Sequence, residues 1–327
     1  MMEYTRFGCA NINVSRIGLG AMGFGDSAWR PWVLREDEAR PIIHRALEAG
    51  INFIDTCDFY SAGASETVLG NTLWECIARE CVVLATKAGS SMAPHPNGRG
   101  FSRKHLLAAI DASLIRLKTD YVDVFQTHVW DPTTGLDEMI DAFDAIVAAG
   151  KALYAGAAQM PAWTFVRCVS LMESARSATF RSMQCEYNAC HREAERELLP
   201  YCRNAGIAFT PFSPMARGFL CADRRDPTHA TERHQSDDYT RKHYHRDGDY
   251  QVFDAVAQTA RLRGATPAQV SLAWTLAQPG VTAPIIGATR VEHVDEAVAA
   301  LSLRLEDEDL SRIEAAYMPR PTRGGGH

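Results

Sequence analysis

At 327 residues, with 46% hydrophobic and 23% charged positions, the chain has the composition of a soluble globular protein with enough apolar content for a substantial core. A formal net charge of −6 argues against a general binder of nucleic acid or of anionic membrane surfaces. No apolar run reaches membrane-span length and the N-terminus lacks the apolar core of a signal peptide; nine scattered cysteines without a Cys-x-x-Cys pair read as free thiols of a reducing, cytoplasmic compartment.

In chain order, residues 1–16 hold two short extended stretches, around 4–6 and 13–16, expected to form a small hairpin. A strand at 17–20 follows, and here Gly18-x-Gly20-x-x-Gly23 matches the dinucleotide fingerprint letter for letter. That fingerprint works by opening straight into a helix whose N-terminus holds a pyrophosphate. These glycines instead run into Phe24, Gly25 and a loop holding Trp29, Pro31 and Trp32, so no Rossmann domain is expected. Helical spacing begins near Asp37, with Ala39, Ile42, Ile43, Ala46 and Leu47 on one face, and closes at Gly50.

The same unit then repeats: a short apolar strand, a polar loop, an amphipathic helix. Strands are expected at 52–54, 81–85, 122–126, 152–155, 182–183, 207–210 and 283–286, which with 17–20 makes eight. Helices are expected at 65–78, 103–117, 137–149, 195–205 and 267–277. The last starts on Thr266 as N-cap, Pro267 in the first turn and Gln269 closing a capping box. Eight such units without a linker-like change of composition point to one α/β domain over residues 1–327, a (β/α)8 or TIM barrel; a doubly wound sheet is the structural alternative.

Residues 223–250 stand apart: rich in Arg, His and Asp, without periodicity, and expected as a long loop over the barrel mouth. A terminal helix is expected at 306–317 and a frayed tail at 319–327. Cys185, Cys190 and His191 lie close together but fit no common zinc spacing, so they read as buried thiols beside a surface histidine.

Barrel enzymes carry their chemistry at the C-terminal ends of the strands. Reading what ends or follows each apolar run yields Asp55, Lys87, His128, Gln184 and Phe212-Ser213, with Tyr60 in the loop after Asp55. Each alone has a bland reading as a cap, a surface lysine, a core histidine or a half-buried loop aromatic. Together on one face they form a constellation. Tyrosine with its ordinary pKa near 10 is a poor proton donor at neutral pH; a nearby ammonium favours the phenolate and lowers that value. Asp55 supplies the counter-ion that a buried Lys87 needs, and a neutral His128 can orient a carbonyl oxygen. These parts suit protonation of a carbonyl oxygen while hydride, which no side chain donates, arrives from a cofactor.

These residues resemble the aldo-keto reductase superfamily, and the resemblance covers nearly the whole chain. It is carried by Gly50-Ile-Asn-Phe-Ile-Asp-Thr-Cys-Asp-Phe-Tyr60 with Ser65-Glu66 and Leu69-Gly70, by Val83-Leu-Ala-Thr-Lys87, and by Tyr121-Val-Asp-Val-Phe-Gln-Thr-His128. Gly150-Lys151, Gln184 with Tyr187-Asn188, Pro211-Phe-Ser-Pro-Met-Ala-Arg-Gly218 and Pro284-Ile-Ile-Gly-Ala-Thr-Arg290 extend it. The pattern resembles the bacterial and fungal aryl-alcohol-dehydrogenase-like branch more than the mammalian aldose reductases.

The resemblance implies NADPH lying across the barrel mouth, with Tyr60 as general acid, Lys87 tuning it, Asp55 paired to Lys87, and His128 orienting the substrate. It further implies Gln184 on the nicotinamide carboxamide, Phe212 stacked on the ring, and Ser213, Met215, Arg217 and Gly218 around the pyrophosphate. Thr289, Arg290 and His293 fall where the family meets the adenosine 2′-phosphate, and Glu296 where it meets adenine. Ala21, Met22, Asp55, Ala158, Gln159 and Gly287 complete the implied cofactor contacts. Arg290 argues for NADPH over NADH, because a guanidinium suits a phosphate. There are two departures from the family pattern. Ala158-Gln159 stands where Ser-Asn or Ser-Ser usually bonds the carboxamide, and Ala297 stands where an asparagine often contacts adenine. Loss of one such bond costs about 0.5–1.5 kcal/mol in cofactor orientation.

The leading expectation is NADPH-dependent reduction of an aldehyde or ketone to an alcohol, by a monomer or weak homo-oligomer that acts on a small molecule and needs no metal, nucleic acid or membrane partner. The same site run in reverse, as an alcohol or sugar dehydrogenase, is one alternative; a non-catalytic NADPH-binding sensor subunit is the other. Substrate signals conflict. Trp29, Trp32, Phe59 and Trp130 suggest an aromatic face, unless the first two merely pack the N-terminal segment, whereas the charged 223–250 segment suggests a polar substrate.

Overall fold

The structure, a computed structural model, describes residues 2–319, so most of the expected tail lies outside the described residues. Strands β1 (Tyr4–Arg6) and β2 (Asn13–Ser15) form the expected antiparallel hairpin. Eight parallel strands follow: β3 (Gly18–Gly20), β4 (Phe53–Asp55), β5 (Val83–Ala88), β6 (Val122–Thr127), β7 (Ala152–Ala158), β8 (Phe180–Gln184), β9 (Ala208–Phe209) and β10 (Ile285–Gly287). From β3 to β9 each pairs with the next in chain order, and β10 pairs back onto β3. Between β9 and β10 the ring closes through Phe209–Val281 and Phe212–Ile285, where Ile285 N–H donates to the Pro211 carbonyl at 2.8 Å. This is a (β/α)8 barrel, and the doubly wound alternative is excluded.

Outside the sheet run α1 (Glu36–Glu48), α2 (Ala64–Cys76), α3 (Arg103–Leu117), α4 (Leu136–Ala148), α5 (Ala162–Ala175) and α6 (Leu198–Ala205). Then come α7 (Glu232–Ser236), α8 (Asp238–His243), α9 (Asp247–Arg263), α10 (Pro267–Ala277), α11 (Val291–Ala300) and α12 (Asp307–Ala315). The Thr266–Gln269 capping box at the head of α10 is present in both directions. Helices α5, α9 and α11 go beyond the sequence reading. In α9 the buried positions Val252, Phe253, Val256 and Ala260 have helical spacing, but the first turn is so charged that it merges with the polar segment before it.

Residues 223–250 are therefore not a structureless loop. Asp226, Thr231 and Asp237 each accept a backbone N–H as N-caps and start short helical pieces. Within this segment His243 is buried against Tyr239, ring centroids 4.2 Å apart. His191, likewise, is no surface residue: its side chain is 14% exposed and its Nε2 lies 4.0 Å from Glu186. Cys185 and Cys190 are buried as expected.

Strand alternation sorts the core into two shells. Leu19, Ile54, Leu84 and Phe125 face the helices. Phe53, Val83, Ala85, Val124 and Ala208 fill the barrel interior, joined from below by Phe7, Ala10 and Val14 of the hairpin. Phe7 meets Phe53 edge-on at 5.7 Å, so β1 and β2 plug the N-terminal end and the barrel opens only at its C-terminal end.

Candidate active site

The interior parity that buries Phe53, Val83, Ala85 and Val124 carries on to Asp55, Lys87 and Gln126, and the parity of Ser182 carries on to Gln184. All four therefore point along the barrel axis at the open end. Strand β5 continues to Ala88, so Lys87 lies within the strand rather than after it. Its Nζ donates to Asp55 Oδ1 and to the Thr56 carbonyl, both at 2.7 Å, with the lysine wholly buried and Asp55 2% exposed. Asp55 Oδ2 accepts from Gln184 Nε2 at 2.9 Å and from Gln126 Nε2 at 3.4 Å. Burial lowers the Lys87 pKa, but the Asp55 carboxylate and its hydrogen bond, together with the acidic groups of Tyr60 and Cys57, outweigh burial and hold the ammonium above the ordinary lysine range.

Lys87 Nζ lies 5.1 Å from the centroid of the Tyr60 ring. After Tyr60 the chain turns through Ser61 and Ala62, both with φ near +50°, a strained conformation that pins the ring over the mouth. The expected lowering of the phenol by the ammonium is overridden. Burial is the larger influence and pushes Tyr60 up to about 12, with Lys87 pulling the other way. The phenol is therefore protonated at neutral pH.

His128 stands edge-on to Tyr60, ring centroids 5.7 Å apart. Burial, reinforced by the Lys87 charge, drops its pKa to about 3, so the imidazole is neutral. Its Nδ1 is engaged by Ser90 Oγ at 2.9 Å and by Cys57 Sγ at 3.2 Å, which leaves Nε2 for the cavity side. Ser90 reaches it because Gly89 turns the chain at φ +120°, packed so closely on Phe101 that a Cβ there would lie 2.2 Å from the ring. Cys57, Ser90 and Gln126 are site residues that sequence reasoning missed. The signals were present: Cys57 lies two positions past Asp55, and Ser90 follows the first glycine after the lysine strand.

Asp58 is also buried, and its Oδ2 has no hydrogen-bond partner. Burial, with repulsion from Glu66, raises its carboxyl to about 7. An acid raised on folding contributes stability that is complete below its unfolded value near 4 and is lost as pH climbs through 7. The loss amounts to about 1.4 kcal/mol per pH unit across that window. Asp58→Asn is therefore expected to melt above the parent at pH 8, with the margin shrinking towards pH 5. Equal melting temperatures at both pH values would contradict this assignment.

Above these groups opens a cavity of about 920 Å³. Of the residues anticipated from the sequence, it brings together Met22, Trp29, Asp55, Phe59, Tyr60, His128, Gln159, Gln184, Phe212, Ser213, Met215, Arg217, Gly218, Gly287, Thr289, Arg290, His293 and Glu296. Four do not line it. Lys87 lies beneath it, reaching Asp55. Ala21 is buried in the wall, where its carbonyl accepts from Ser65. Ala158 is buried, its N–H donating to Thr127 Oγ1 at 3.2 Å. Trp130 stacks on Phe101 at 6.1 Å, because its loop folds down onto the start of α3 instead of over the mouth.

The cavity fits an elongated phosphorylated nucleotide on three observations. Ser213, Ala216 and Arg217 all have positive φ, a run of unusual backbone along one wall of the kind that forms anion-binding concavities. Arg290, exposed at the N-cap of α11, has a side chain that hydrogen-bonds only to His293 among the described residues. Helix α11 adds the partial positive charge of its N-terminus at the same place. Gln159, the residue that departs from the family pattern, is exposed at the mouth with φ +45°.

Residues 16–318 match the aldo/keto reductase family. Versiconal hemiacetal acetate reductase of Aspergillus parasiticus is 36% identical over 345 aligned positions, covering 99% of each chain. An aldo-keto reductase of Metarhizium robertsii is 34% identical over 99% of this chain and 93% of its own. A Schizosaccharomyces pombe protein provisionally named an aryl-alcohol dehydrogenase is 34% identical over 98% and 97%. No helix among the described residues is long and apolar enough to cross a membrane.

Proposed function

The chain belongs to the aldo/keto reductase family and is an oxidoreductase, and on that premise we propose that it reduces an aldehyde or ketone to an alcohol with NADPH, acting as one barrel domain in the cytosol. The observation that carries this reading is the buried Asp55–Lys87 pair set beneath Tyr60, with a neutral His128 edge-on to the same ring. Tyr60 donates its phenolic proton to the carbonyl oxygen. Lys87 stabilises the phenolate left behind, and Asp55 keeps Lys87 charged and in place. His128, with Nδ1 held by Ser90 and Cys57, presents Nε2 to that oxygen as a hydrogen-bond donor. NADPH, when bound, supplies the hydride. Gln184 and Phe212 would hold its nicotinamide end, Ser213, Met215, Arg217 and Gly218 its pyrophosphate, and Thr289, Arg290, His293 and Glu296 its adenosine end.

Family members generally use a nicotinamide nucleotide; the preference for NADPH rests on Arg290. Fluorescence titration with NADPH and NADH tests it. Arg290→Ala is expected to weaken NADPH about tenfold to a hundredfold, the worth of a hydrogen bond to a charged group, and to leave NADH nearly unaffected. Equal losses for both nucleotides would remove the 2′-phosphate assignment. Turnover of a panel of aldehydes and ketones, abolished with retention of NADPH binding in Tyr60→Phe, tests the reaction itself. Binding of NADPH by the parent without turnover of any aldehyde, ketone or alcohol would favour the sensor reading.

A further inference from the structure

Arg30 lies in the loop between β3 and α1 and lines the cavity. Its guanidinium sits 4.3 Å from the centroid of the Trp29 ring and 5.6 Å from that of Trp32. The residue is half-buried, and among the described residues its side chain makes no hydrogen bond or ion pair. Trp29 in turn packs edge-on against Phe59 at 5.9 Å and lies 6.5 Å from Tyr60, so Arg30 is one aromatic ring removed from the proton-donating hydroxyl.

The charge around it is unbalanced. Arg217 and Arg233 both turn to a single buried carboxylate, Asp237, with Arg217 Nη2 at 2.6 Å and Arg233 Nε at 3.5 Å from Oδ2. Arg233 also lies over the other tryptophan, 4.3 Å from the Trp32 ring. Asp237 thus pairs directly with Arg217 and Arg233, and Arg30 feels its charge without a hydrogen bond or ion pair to it. Burial, then repulsion from Arg217, lowers its pKa from the ordinary arginine value, and the attraction of Asp237 offsets only part of this. A half-buried guanidinium is costly to leave uncompensated, and its flat face on indole leaves the planar fork of N–H donors free for a bidentate acceptor.

We propose that Arg30 is a specificity-determining residue that receives an anionic group of the substrate, and that the preferred substrate is an aromatic carbonyl compound carrying a carboxylate or a comparable acidic group. The aromatic part is received by Trp29 and Phe59, and the anion by Arg30. This rests on the reductase reading above. Carboxylate and phosphate oxygens satisfy a guanidinium alike, so the nucleotide's pyrophosphate is the other source of the same chemistry. Contact with Trp29, which packs on Phe59 and lies 6.5 Å from Tyr60, favours the substrate, while Arg217 of the neighbouring wall repels Arg30 and makes the nucleotide the arm that the test must separate.

The test compares the parent, Arg30→Gln and Arg30→Lys on 4-carboxybenzaldehyde and its methyl ester, with NADPH affinity measured separately by fluorescence. Binding of unreactive terephthalate to the NADPH-loaded protein is followed in parallel by tryptophan fluorescence. In Arg30→Gln the acid-to-ester ratio of kcat/KM is expected to fall at least tenfold, the loss residing in KM. Terephthalate binding weakens at least tenfold as well, and Arg30→Lys recovers part of both. An unchanged ratio with unchanged terephthalate binding overturns the proposal. A loss of NADPH affinity with the ratio preserved overturns it too, by assigning Arg30 to the nucleotide's phosphates. If the parent reduces neither of these aldehydes, the wider carbonyl panel decides the reductase reading, and terephthalate binding alone still decides whether Arg30 receives an anion.

Discussion

Replacing Tyr60 by phenylalanine is expected to lower aldehyde turnover by about 10²- to 10⁴-fold, the usual range for loss of a positioned general acid, with NADPH affinity unchanged. The hydroxyl alone is removed. The ring still packs on Trp29 and His128, and the strained turn at Ser61 and Ala62 stays as it is. The two ionisable side chains nearest the ring are poor substitutes for the hydroxyl. His128, with its pKa near 3, is neutral and a poor acid at pH 7, and Lys87 is committed to Asp55 and the Thr56 carbonyl beneath the cavity floor. Single-turnover kinetics with preloaded NADPH give the clean reading, because they separate chemistry from product release. A loss smaller than tenfold would mean that the proton reaches the carbonyl oxygen by another route.

Asp55→Ala carries the second large effect, and it falls on stability first. It leaves the Lys87 ammonium, wholly buried, without its 2.7 Å counter-ion, and it also removes the acceptor of Gln184 and Gln126. Breaking a buried pair from one side costs about 3–5 kcal/mol, so chemical denaturation should show a marked loss of folding free energy. Adding Lys87→Met removes the stranded charge and should return much of that loss. Turnover should not return, because in the proposed mechanism the group that stabilises the forming phenolate has gone. If the double variant were no more stable than Asp55→Ala alone, the pair would not be the source of the loss.

The barrel and much of its site are legible in the amino-acid sequence because their signals are local. Alternation around Asp55 and Lys87, and the position of His128 one residue past its strand, depend only on neighbours in the chain, and strand parity turns the first two into an inward direction. The capping box at Thr266 is legible for the same reason. Helix α9 is hidden because its charged first turn masks the apolar spacing behind it. Trp130 is misplaced by sequence reasoning because nothing near it in the chain announces Phe101 as its stacking partner.

The sequence by itself determined the order of strand–helix units and placed Asp55, Lys87, His128 and Gln184 at the open end of the barrel, since both follow from periodicity of 2.0 and 3.6 residues. Only the tertiary structure decided the energetic balance among those groups. That Gln184 spends its amide on Asp55, that Ser90 and Cys57 hold one edge of His128, that burial outweighs Lys87 at Tyr60, and that Arg30 is left unpaired all depend on atoms brought together from distant parts of the chain. Burial and charge pairing are sums over such neighbours, and no local pattern encodes them.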